Sequence, residues 1–432
     1  MTLLRPRSCR ARRAFAAGLI ALGAAHARPA TDPEMPGEIL LKLRSAAALG
    51  PLLSKHRLSL VAQSGARPIY RVKVTGADIV RDKLGALGVE PDVLIAEANP
   101  LHSAPEARKN GAWAIGTPAA YAAQWAPQAI GLAAAHALSV GSGVRVAVLD
   151  TGVDRAHPAL AGRLAAGRDF VDGDDDPSEA GTPADAGFGH GTHVAGLVAL
   201  AAPGARIVPL RVLDAGGRGN AWALADAMLH AVDPDANPAT DDGAHVINLS
   251  LGSTDRTKLL DTIAKLAACT AFDGAGDPAE DVSDAGYNDD RARCGVSSGA
   301  VVVAAAGNDG GTVRQYPAAE GAYGLLAVAA SRSDGRLADF TNFGSWVHLA
   351  APGEALTSTV PGGGYGTWSG TSMASPLVAG VAALVRAAEP ALGPDAVARR
   401  LERAASPLCA TALEQLDAAA ALGSAPAPGA CR

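Results

Sequence analysis

The sequence predicts a three-layer α/β domain with a mostly parallel sheet, preceded by a small α+β unit. Short, continuously apolar runs recur from about residue 125, and Ala-rich amphipathic stretches separate them. Runs that do not alternate in polarity are typical of strands buried on both faces, and helices between them make such strands parallel. The length of 432 residues leaves room for the smaller unit in front.

Residues 1–27 have the pattern of a secretory signal peptide. Five arginines precede an apolar stretch that begins at Ala14, and Ala25-His26-Ala27 supplies the small-x-small cleavage pattern. We therefore expect an exported protein, secreted or periplasmic. Arg12-Arg13 also fits a twin-arginine signal, so the export route stays open.

Four cysteines remain once Cys9 leaves with the signal. In an exported chain they suggest two disulfides, out of three possible pairings. We favour the sequence-local pairing of Cys269 with Cys294 and of Cys409 with Cys431. Each pair closes a loop of about 25 residues, worth about 3 kcal/mol in the chain-entropy model.

The charge balance argues against two classes of partner. The chain has 37 Lys and Arg residues against 43 Asp and Glu residues. A mildly acidic chain predicts no nucleic-acid partner and no anionic membrane partner.

The small unit covers residues 37 to about 103. The strand-like runs "GEILLKLR", "IYRVKV" and "VLIAEANP" alternate with two helical stretches, which indicates an α+β unit. The looser segment that follows, to about residue 124, is typical of a linker.

Five apolar runs predict the parallel sheet of the larger domain. In chain order they are "VRVAVL", "IVPLRVL", "HVINLSL", "AVVVAAA" and "GLLAVAA". A further apolar stretch, from about Thr371 to Arg386, predicts a buried helix. Open α/β sheets bind ligands beyond the carboxyl ends of their strands, so polar residues that follow these runs are site candidates.

Asp150 follows the first run in the motif "DTG". By itself this motif is more typical of an Asx turn at a strand end. "DTG" also occurs in aspartic proteases, but their chemistry needs two carboxylates that share a proton. No second "DTG" or "DSG" is present.

His190 and His193 begin an Ala-rich helix in "GHGTHVAG". They share a helix face, but zinc needs at least three protein ligands and no third candidate stands out. A general base is the preferred functional interpretation, with a buried core histidine as its competitor. Asn308, in the turn "GNDG", is either a turn residue or a fixed amide donor to an oxyanion.

Four hydroxyls, those of Ser369, Thr371, Ser372 and Ser375, lie at the start of the buried helix. We expect Ser369 or Thr371 to cap the helix and Ser375 to bond to the backbone. Ser372 remains at the amino end, where free N–H groups and the helix dipole stabilise an oxyanion.

Taken together, five motifs resemble those of the subtilisin-like serine protease family. They are "DTGVDRAHPAL", "GHGTHVAG", "INLSLG", "AAAGNDG" and "SGTSMASPLVAG", in that family's chain order of Asp, His and Ser. The resemblance covers about residues 125 to 405. It implies a subtilisin-like fold and hydrolysis of peptide bonds through an acyl-enzyme intermediate.

By this resemblance Ser372 is the nucleophile, His190 the general base and Asp150 the orienting carboxylate. Asn308 and the backbone N–H of Ser372 form the oxyanion hole, and His193 is a structural histidine. Serine is a poor nucleophile at neutral pH, so it needs all of these groups.

The resemblance also implies substrate-binding residues. An extended substrate would pair with the strand Ser250, Leu251 and Gly252. The other wall of the primary specificity pocket would consist of Ala304, Ala305, Ala306 and Gly307. Tyr316–Pro317 matches a position where the family has a cis proline.

No cofactor is expected for catalysis, and a structural calcium ion stays open. Ala159 stands where many members of the family have an aspartate ligand, and the calcium loop that many insert after the His helix is missing. The acidic run at residues 172–185 offers carboxylates to a hard cation, although a solvated loop is the favoured interpretation. The segment between Cys269 and Cys294 is expected to be a surface loop, or else to line the cleft or bind calcium.

The implied organisation is a pre-pro-protein. After the signal come an inhibitory and chaperone propeptide of ferredoxin-like fold (28–110, with a linker to about 124), the catalytic domain (125–408) and a disulfide-tied tail (409–432). The expected partners of a monomeric enzyme are polypeptide substrates and its own propeptide, removed autocatalytically. A catalytically inactive peptide-binding member and a single-"DTG" aspartic protease stay open as alternatives.

Overall fold

The computed structural model describes residues 34–76, 78–104, 116–270 and 285–426, with the backbone alone for 285–289. The predicted signal peptide, the predicted end of the propeptide near residue 110 and Cys431 lie outside the described residues.

The front unit is an antiparallel sheet with two helices. Its elements are β1 (Glu34–Leu43), α1 (Leu49–His56), β2 (Leu58–Gln63), β3 (Ile69–Val74), α2 (Val80–Leu87) and β4 (Val93–Ser103). The strands lie in the order β2-β3-β1-β4. Alternate residues of β1, such as Ile39 and Leu41, enter a small apolar core with Leu52 of α1 and Leu87 of α2. β2 was not predicted, and most of its residues are exposed.

Three short helices lead into the larger domain: α3 (Pro118–Ala123), α4 (Trp125–Ala129) and α5 (Leu132–His136). The first lies inside the predicted linker. Thr117 Oγ1 accepts a hydrogen bond from Ala120 N at 3.1 Å, and Pro118 occupies the first turn. A capping threonine followed by proline is a signal for the start of a helix. The signal was missed because the composition of the whole segment is typical of a loop.

The larger domain alternates strands and helices along the chain. Its strands are β5 (Arg145–Asp150), β6 (Arg168–Asp169), β7 (Arg206–Arg211), β8 (Arg218–Asn220), β9 (Val246–Leu249), β10 (Val301–Ala305), β11 (Leu325–Ser331), β12 (Leu349–Pro352), β13 (Leu356–Val360), β14 (Gly364–Trp368), β15 (Ser406–Pro407) and β16 (Glu414–Gln415). Its further helices are α6 (His190–Ala201), α7 (Ala221–Val232), α8 (Lys258–Ala267), α9 (Ala285–Val296), α10 (Thr371–Ala388), α11 (Pro394–Ala404) and α12 (Ala418–Ala421).

The main sheet confirms the predicted α/β fold. Nine strands lie in the order β15-β16-β12-β11-β10-β9-β5-β7-β6. All pairs from β12 to β6 are parallel. The five predicted strands are consecutive neighbours in this order, β11-β10-β9-β5-β7, with β5 between β7 and β9. The strands that follow β5 in the chain therefore lie on both of its sides, β6 and β7 on one side and β9 on the other. Open α/β sheets place their sites where the strand order changes direction in this way.

Both faces of this sheet are covered, which explains the continuous apolar runs. Successive residues of a strand point to opposite faces. Val146 and Val148 of β5 pack in the core cluster that contains α6 and α10, whereas Ala147 and Leu149 pack in the cluster that contains α7 and α8. The long apolar helix α10 has the length of a membrane span, but 89% of it is buried inside the protein, so it is a core helix.

The chain after residue 408 contributes to the same core. β16 pairs in parallel with β12, and Leu416, Ala418 and Ala421 belong to the core cluster around α10. The predicted domain boundary at residue 408 falls inside this packed region. Two-residue strands such as β15 and β16 have no apolar period, so the sequence pattern could not reveal them.

Candidate active site

Asp150 and His190 form a buried hydrogen-bonded pair at the carboxyl end of β5. Asp150 is the last residue of β5, and His190 is the first residue of α6. His190 Nδ1 lies 2.7 Å from Asp150 Oδ1, and both residues are 1% exposed. An ionised carboxylate only accepts hydrogen bonds, so Nδ1 carries the proton and Nε2 is the basic nitrogen.

The close approach of α6 to the end of β5 requires a glycine. A Cβ atom on Gly191 would lie 2.1 Å from the carbonyl oxygen of Gly152 and 3.1 Å from Asp150 Cβ. Gly191 N also donates to Thr151 Oγ1 at 2.9 Å. Gly191 therefore lets the helix start come near enough for the pair to form.

The neighbouring strand brings Ser372 to the same edge of the sheet. β5 and β9 are parallel neighbours, so Asp150 and Ser250, at their carboxyl ends, lie on the same edge. Ser372 is the second residue of α10, and its hydroxyl donates to the carbonyl oxygen of Ser250 at 3.1 Å. Asp150, His190 and Ser372, which are distant in sequence, are thus placed at the same edge of the sheet.

The expectation that a neighbouring hydroxyl caps α10 is wrong. Gly370, which has no side chain, is the N-cap residue, and the first N–H of α10, that of Thr371, donates to the side chain of the distant Asn308. Ser369 Oγ instead accepts from Ala355 N at 2.8 Å. Thr371 and Ser375 bond to side chains outside the helix, as described next. Tertiary partners therefore replace the local ones.

A buried polar network holds the first turn of α10 on β9. Asn248 Nδ2 donates to Ser250 Oγ at 3.0 Å, and Ser250 Oγ donates to the carbonyl oxygen of Ser372, also at 3.0 Å. Ser375 Oγ donates to Asn248 Oδ1 at 2.9 Å. Asn248 was not predicted as part of the site, although a polar side chain within the apolar run "HVINLSL" is a signal that could have identified it.

Asn308 is held by the residue before the serine. Thr371 N and Thr371 Oγ1 both lie 2.9 Å from Asn308 Oδ1. A backbone N–H can only donate, so the amide oxygen must face Thr371. The amide nitrogen then faces away from Thr371, in a fixed orientation. The Thr371 hydroxyl also accepts from Gly307 N at 3.0 Å.

Glu179 is a further carboxyl group behind the pair, and the sequence did not identify it. Its Oε2 accepts from the Thr192 hydroxyl at 2.8 Å and from Thr192 N at 3.3 Å. Burial raises the pKa of Glu179 to about 7, while hydrogen bonds from Thr151 and Thr192 oppose the rise and the charge of Asp150 adds to it. Its position within an acidic run had suggested a solvated side chain.

The predicted substrate strand is paired with a segment of the chain itself. Gly252 N donates to Ser103 O, and Ser103 N donates to Gly252 O, both at 3.0 Å. The other edge of the segment pairs antiparallel with β8, and Ala104 N donates to Gly217 O at 3.0 Å. The end of β4 therefore lies as an extended strand between two strands of the larger domain. β8 as the second wall was not predicted, because "RGN" has no strand pattern.

The other predicted wall of the specificity pocket, residues 304–307, has buried side chains and can therefore offer only backbone groups to a substrate. The side chain of Ala304 packs in one core cluster, that of Ala306 packs in another, and Ala305 is 1% exposed. Leu251, from the predicted substrate strand, packs in the same cluster as Ala304. Gly307 has a φ of +99°, and a Cβ atom there would lie 2.5 Å from Gln315 Cγ. Only a glycine fits this position. The peptide bond between Tyr316 and Pro317 is cis, as expected.

The histidine and acidic motifs have protein partners. His193 Nε2 lies 3.2 Å from Gly366 O, and its ring stacks on Trp368 with centroids 4.8 Å apart. Among the described residues, no group of three His, Cys, Asp or Glu side chains is arranged to hold a metal ion. In the acidic run, protein groups bind the carboxylates of Asp172, Asp176 and Asp185.

The disulfide between Cys269 and Cys294 is present, with a Cα–Cα distance of 5.5 Å. It joins the second residue after α8 to α9, so part of the segment predicted as a surface loop is a helix. Cys409 is also disulfide-bonded. Its expected partner, Cys431, lies outside the described residues.

Comparison with known proteins identifies the family of the chain. A model of the Subtilase family matches residues 141–424. The thermophilic serine proteinase of Bacillus sp. (strain AK1) is 35% identical over 355 residues, covering 78% of this chain and 77% of the relative. The extracellular protease of Xanthomonas campestris pv. campestris is 32% identical over an alignment of 442 residues, covering 89% of this chain and 69% of the relative. The crystal structure of fervidolysin from Fervidobacterium pennivorans, a keratinolytic enzyme related to subtilisin, matches with a TM-score of 0.68 at 22% identity, covering 93% of this chain and 62% of that chain. This last match concerns the fold.

Proposed function

This chain belongs to the subtilase family and is a serine-type peptidase, and on that basis we propose that it is a secreted endopeptidase with Ser372 as its nucleophile. The observation that carries the proposal is the buried 2.7 Å contact between His190 Nδ1 and Asp150 Oδ1. It holds the imidazole in the tautomer whose Nε2 accepts a proton. Subtilases typically need no cofactor for this chemistry.

In the proposed mechanism, Ser372 Oγ attacks the carbonyl carbon of the scissile bond while His190 Nε2 takes the hydroxyl proton. The carbonyl electron pair moves onto its oxygen, and Asp150 stabilises the imidazolium. When the intermediate collapses, the C–N bond breaks and the leaving amine receives the proton from His190. Water then attacks the acyl-enzyme by the same steps and regenerates the serine.

Asn308 and the amino end of α10 are proposed to stabilise the oxyanion. Thr371 holds the amide oxygen of Asn308, so the amide nitrogen is a preorganised donor. The backbone N–H of Ser372 lies in the first turn of α10, where the helix dipole favours negative charge.

The front unit is proposed to be an inhibitory propeptide. Ser103 forms a two-bond ladder with Gly252, in the place where an extended substrate would pair. Other contacts involve the starts of two helices: Asn99 Oδ1 accepts from Trp222 N at 3.1 Å, and Glu97 accepts from Lys258 N and Leu259 N, both at 3.0 Å. These contacts support a front unit that blocks the cleft until the enzyme cuts it off.

The remaining expectations stay part of the proposal. An extracellular relative and the signal-like residues 1–27 support export. We propose that the enzyme acts as a monomer on polypeptides, without a nucleic-acid or membrane partner. A structural calcium ion is not part of the proposal.

Labelling with a fluorophosphonate tests the proposal. The purified, exported protein is treated with the reagent, and mass spectrometry locates the adduct, with Ser372→Ala in parallel. A single adduct on Ser372, absent from the variant, is expected because the reagent requires an activated serine. A processed protein without an adduct would favour the inactive, peptide-binding alternative.

The aspartic-protease alternative has a separate test. Asp150 is bonded to His190, whereas that chemistry requires a carboxylate that shares a proton with it. A pepstatin-type inhibitor should therefore leave the activity unchanged. Inhibition by pepstatin at acid pH, together with indifference to the fluorophosphonate, would contradict the proposed function.

A further inference from the structure

The turn between β2 and β3 makes a second contact between the front unit and the larger domain. Ser64 Oγ donates to Asp226 Oδ1, on α7, at 2.8 Å. Arg67 donates through Nε and Nη2 to the two carboxylate oxygens of Asp290, on α9, at 2.9 and 2.6 Å. This contact is distinct from the strand that pairs with Gly252.

The ion pair between Arg67 and Asp290 is bidentate and mostly buried. The side chains are 13% and 3% exposed. Two parallel N–H···O bonds give an arginine–carboxylate pair both strength and a fixed geometry. Removing Arg67 would leave Asp290 with Arg293 Nε at 3.9 Å, and removing Asp290 would leave Arg67 with an oxygen of Asp233 at 4.0 Å. Either change therefore replaces two short hydrogen bonds by one long ionic contact.

Asp290 lies one helical turn from the disulfide that attaches α9 to the chain after α8. Cys294 lies one turn after Asp290 on α9 and is bonded to Cys269, just after α8. Arg293 adds a second attachment, because its Nη2 donates to Leu266 O at 2.7 Å. The part of α9 from Asp290 to Cys294 is thus fastened to the end of α8.

The front unit holds α7 near both of its ends. Asn99 accepts from Trp222 N at the amino end. Arg67 Nη2 lies 4.0 Å from an oxygen of Asp233, which follows the carboxyl end. At a rise of about 1.5 Å per residue, these two places are about 16 Å apart along the helix. A peptide that enters the cleft replaces the Gly252 strand contact but cannot replace the contact at the turn.

We propose that α9, fixed by the Cys269–Cys294 disulfide, is a docking site for the front unit. The Arg67–Asp290 pair sets how long the front unit stays bound after the connection to it has been cut. The inference rests on the proposed function, in which the front unit is a propeptide that inhibits until it dissociates.

The test measures the delay before activity appears. The full chain is allowed to process itself, the complex is purified and diluted into a chromogenic peptide, and the time constant of the activity increase is recorded. Arg67→Ala and Asp290→Asn should each shorten it about 30-fold or more, because loss of one partner of a buried charge pair acts on the dissociation rate. The double variant should be no faster than the faster single variant, since both changes remove the same interaction.

Matched variants separate docking from general damage. Arg57→Ala removes another front-unit arginine, whose partner Asp78 lies in the same unit, and should leave the delay unchanged. Arg67→Lys keeps the charge but not the two-bond fork, so its delay should be intermediate. After release, activity per fluorophosphonate-labelled site must equal that of the wild type, which shows that the larger domain is intact.

The disulfide supplies an independent prediction. Replacing both Cys269 and Cys294 with serine should shorten the delay in the wild type but not in Arg67→Ala. The docking site would be overturned if Arg67→Ala, with the disulfide intact, had the same delay as the wild type. It would also be overturned if the effects of Arg67→Ala and Asp290→Asn on the delay multiplied in the double variant. A wild type that never processes or labels would instead contradict the proposed function, and one that processes without any delay would contradict inhibition by the front unit.

Discussion

Glu179 places a second ionisable carboxyl group beside the Asp150–His190 pair. Burial raises its pKa to about 7, from 4.5. The folded protein therefore binds one more proton than the unfolded chain between these pH values. The contribution of this group to the free energy of unfolding is complete below about pH 4.5 and is lost as the pH rises through 7.

The prediction concerns Glu179→Gln, which imitates the protonated group. In a Ser372→Ala background, which prevents self-digestion, the free energy of unfolding should fall by up to about 3 kcal/mol from this group between pH 4.5 and 8. Glu179→Gln should lack that part of the fall. Urea unfolding at several pH values measures it, and an identical pH dependence in both proteins would contradict the buried, proton-binding Glu179.

Asn308 has one proposed task, and its removal tests that task. Asn308→Ala should lower kcat by about 10² to 10³ with little change in KM, because the amide acts on charge that appears only in the transition state. This magnitude comes from the corresponding asparagine in a member of the same family. Steady-state kinetics on a peptide substrate measures it. A loss of only a few-fold would mean that another donor carries the oxyanion.

At the scale of elements, β16 and α12 show that residues 414–421 are part of the packed domain. Leu416 is 1% exposed and packs in the core cluster around α10, whereas the neighbouring Glu414 is exposed. The parallel pairing of β16 with β12 extends the main sheet. This segment is therefore part of the folded domain rather than an appended tail.

Leu416→Ala should consequently lower the free energy of unfolding by about 2 to 5 kcal/mol, the usual cost of truncating a buried leucine. Glu414→Ala is the matched control and should change it by less than about 0.5 kcal/mol. Chemical denaturation of both variants in the Ser372→Ala background compares them. Equal effects from the two substitutions would show that β16 does not belong to the core.

At the scale of the whole molecule, the front unit and the larger domain of one chain are in direct contact. The ladder between Ser103 and Gly252 and the ion pair between Arg67 and Asp290 join the front unit to the larger domain at two separate places. This arrangement predicts that the protein is made in an inactive form.

Ser372→Ala should leave the front unit covalently attached, because no other serine is expected to perform the cut. The wild type should separate into two polypeptides in the same protease-free host. Gel electrophoresis and the intact mass of both proteins measure the difference. An alanine variant that still separates would show that another protease does the cutting.

Local sequence patterns were enough to predict the central strands of the main sheet and to name candidate site residues. A strand buried on both faces must be apolar throughout, so β5, β7, β9, β10 and β11 were visible as local runs. Asp150, His190 and Asn308 each stand in a short motif at a strand end or helix start, where local pattern and chemistry agree. Ser372 stood out because its helix start leaves N–H groups available.

The hydrogen-bond and ion-pair partners of the polar side chains, by contrast, are seen only in the tertiary structure. Thr371 bonds to Asn308 and Ser375 to Asn248, although both were expected to bond locally. The burial of Glu179 and the Arg67–Asp290 pair depend on segments distant in the chain. The physical reason is that capping and apolar periodicity are properties of neighbouring residues, whereas burial and ion pairing depend on what packs against a side chain after the chain has folded.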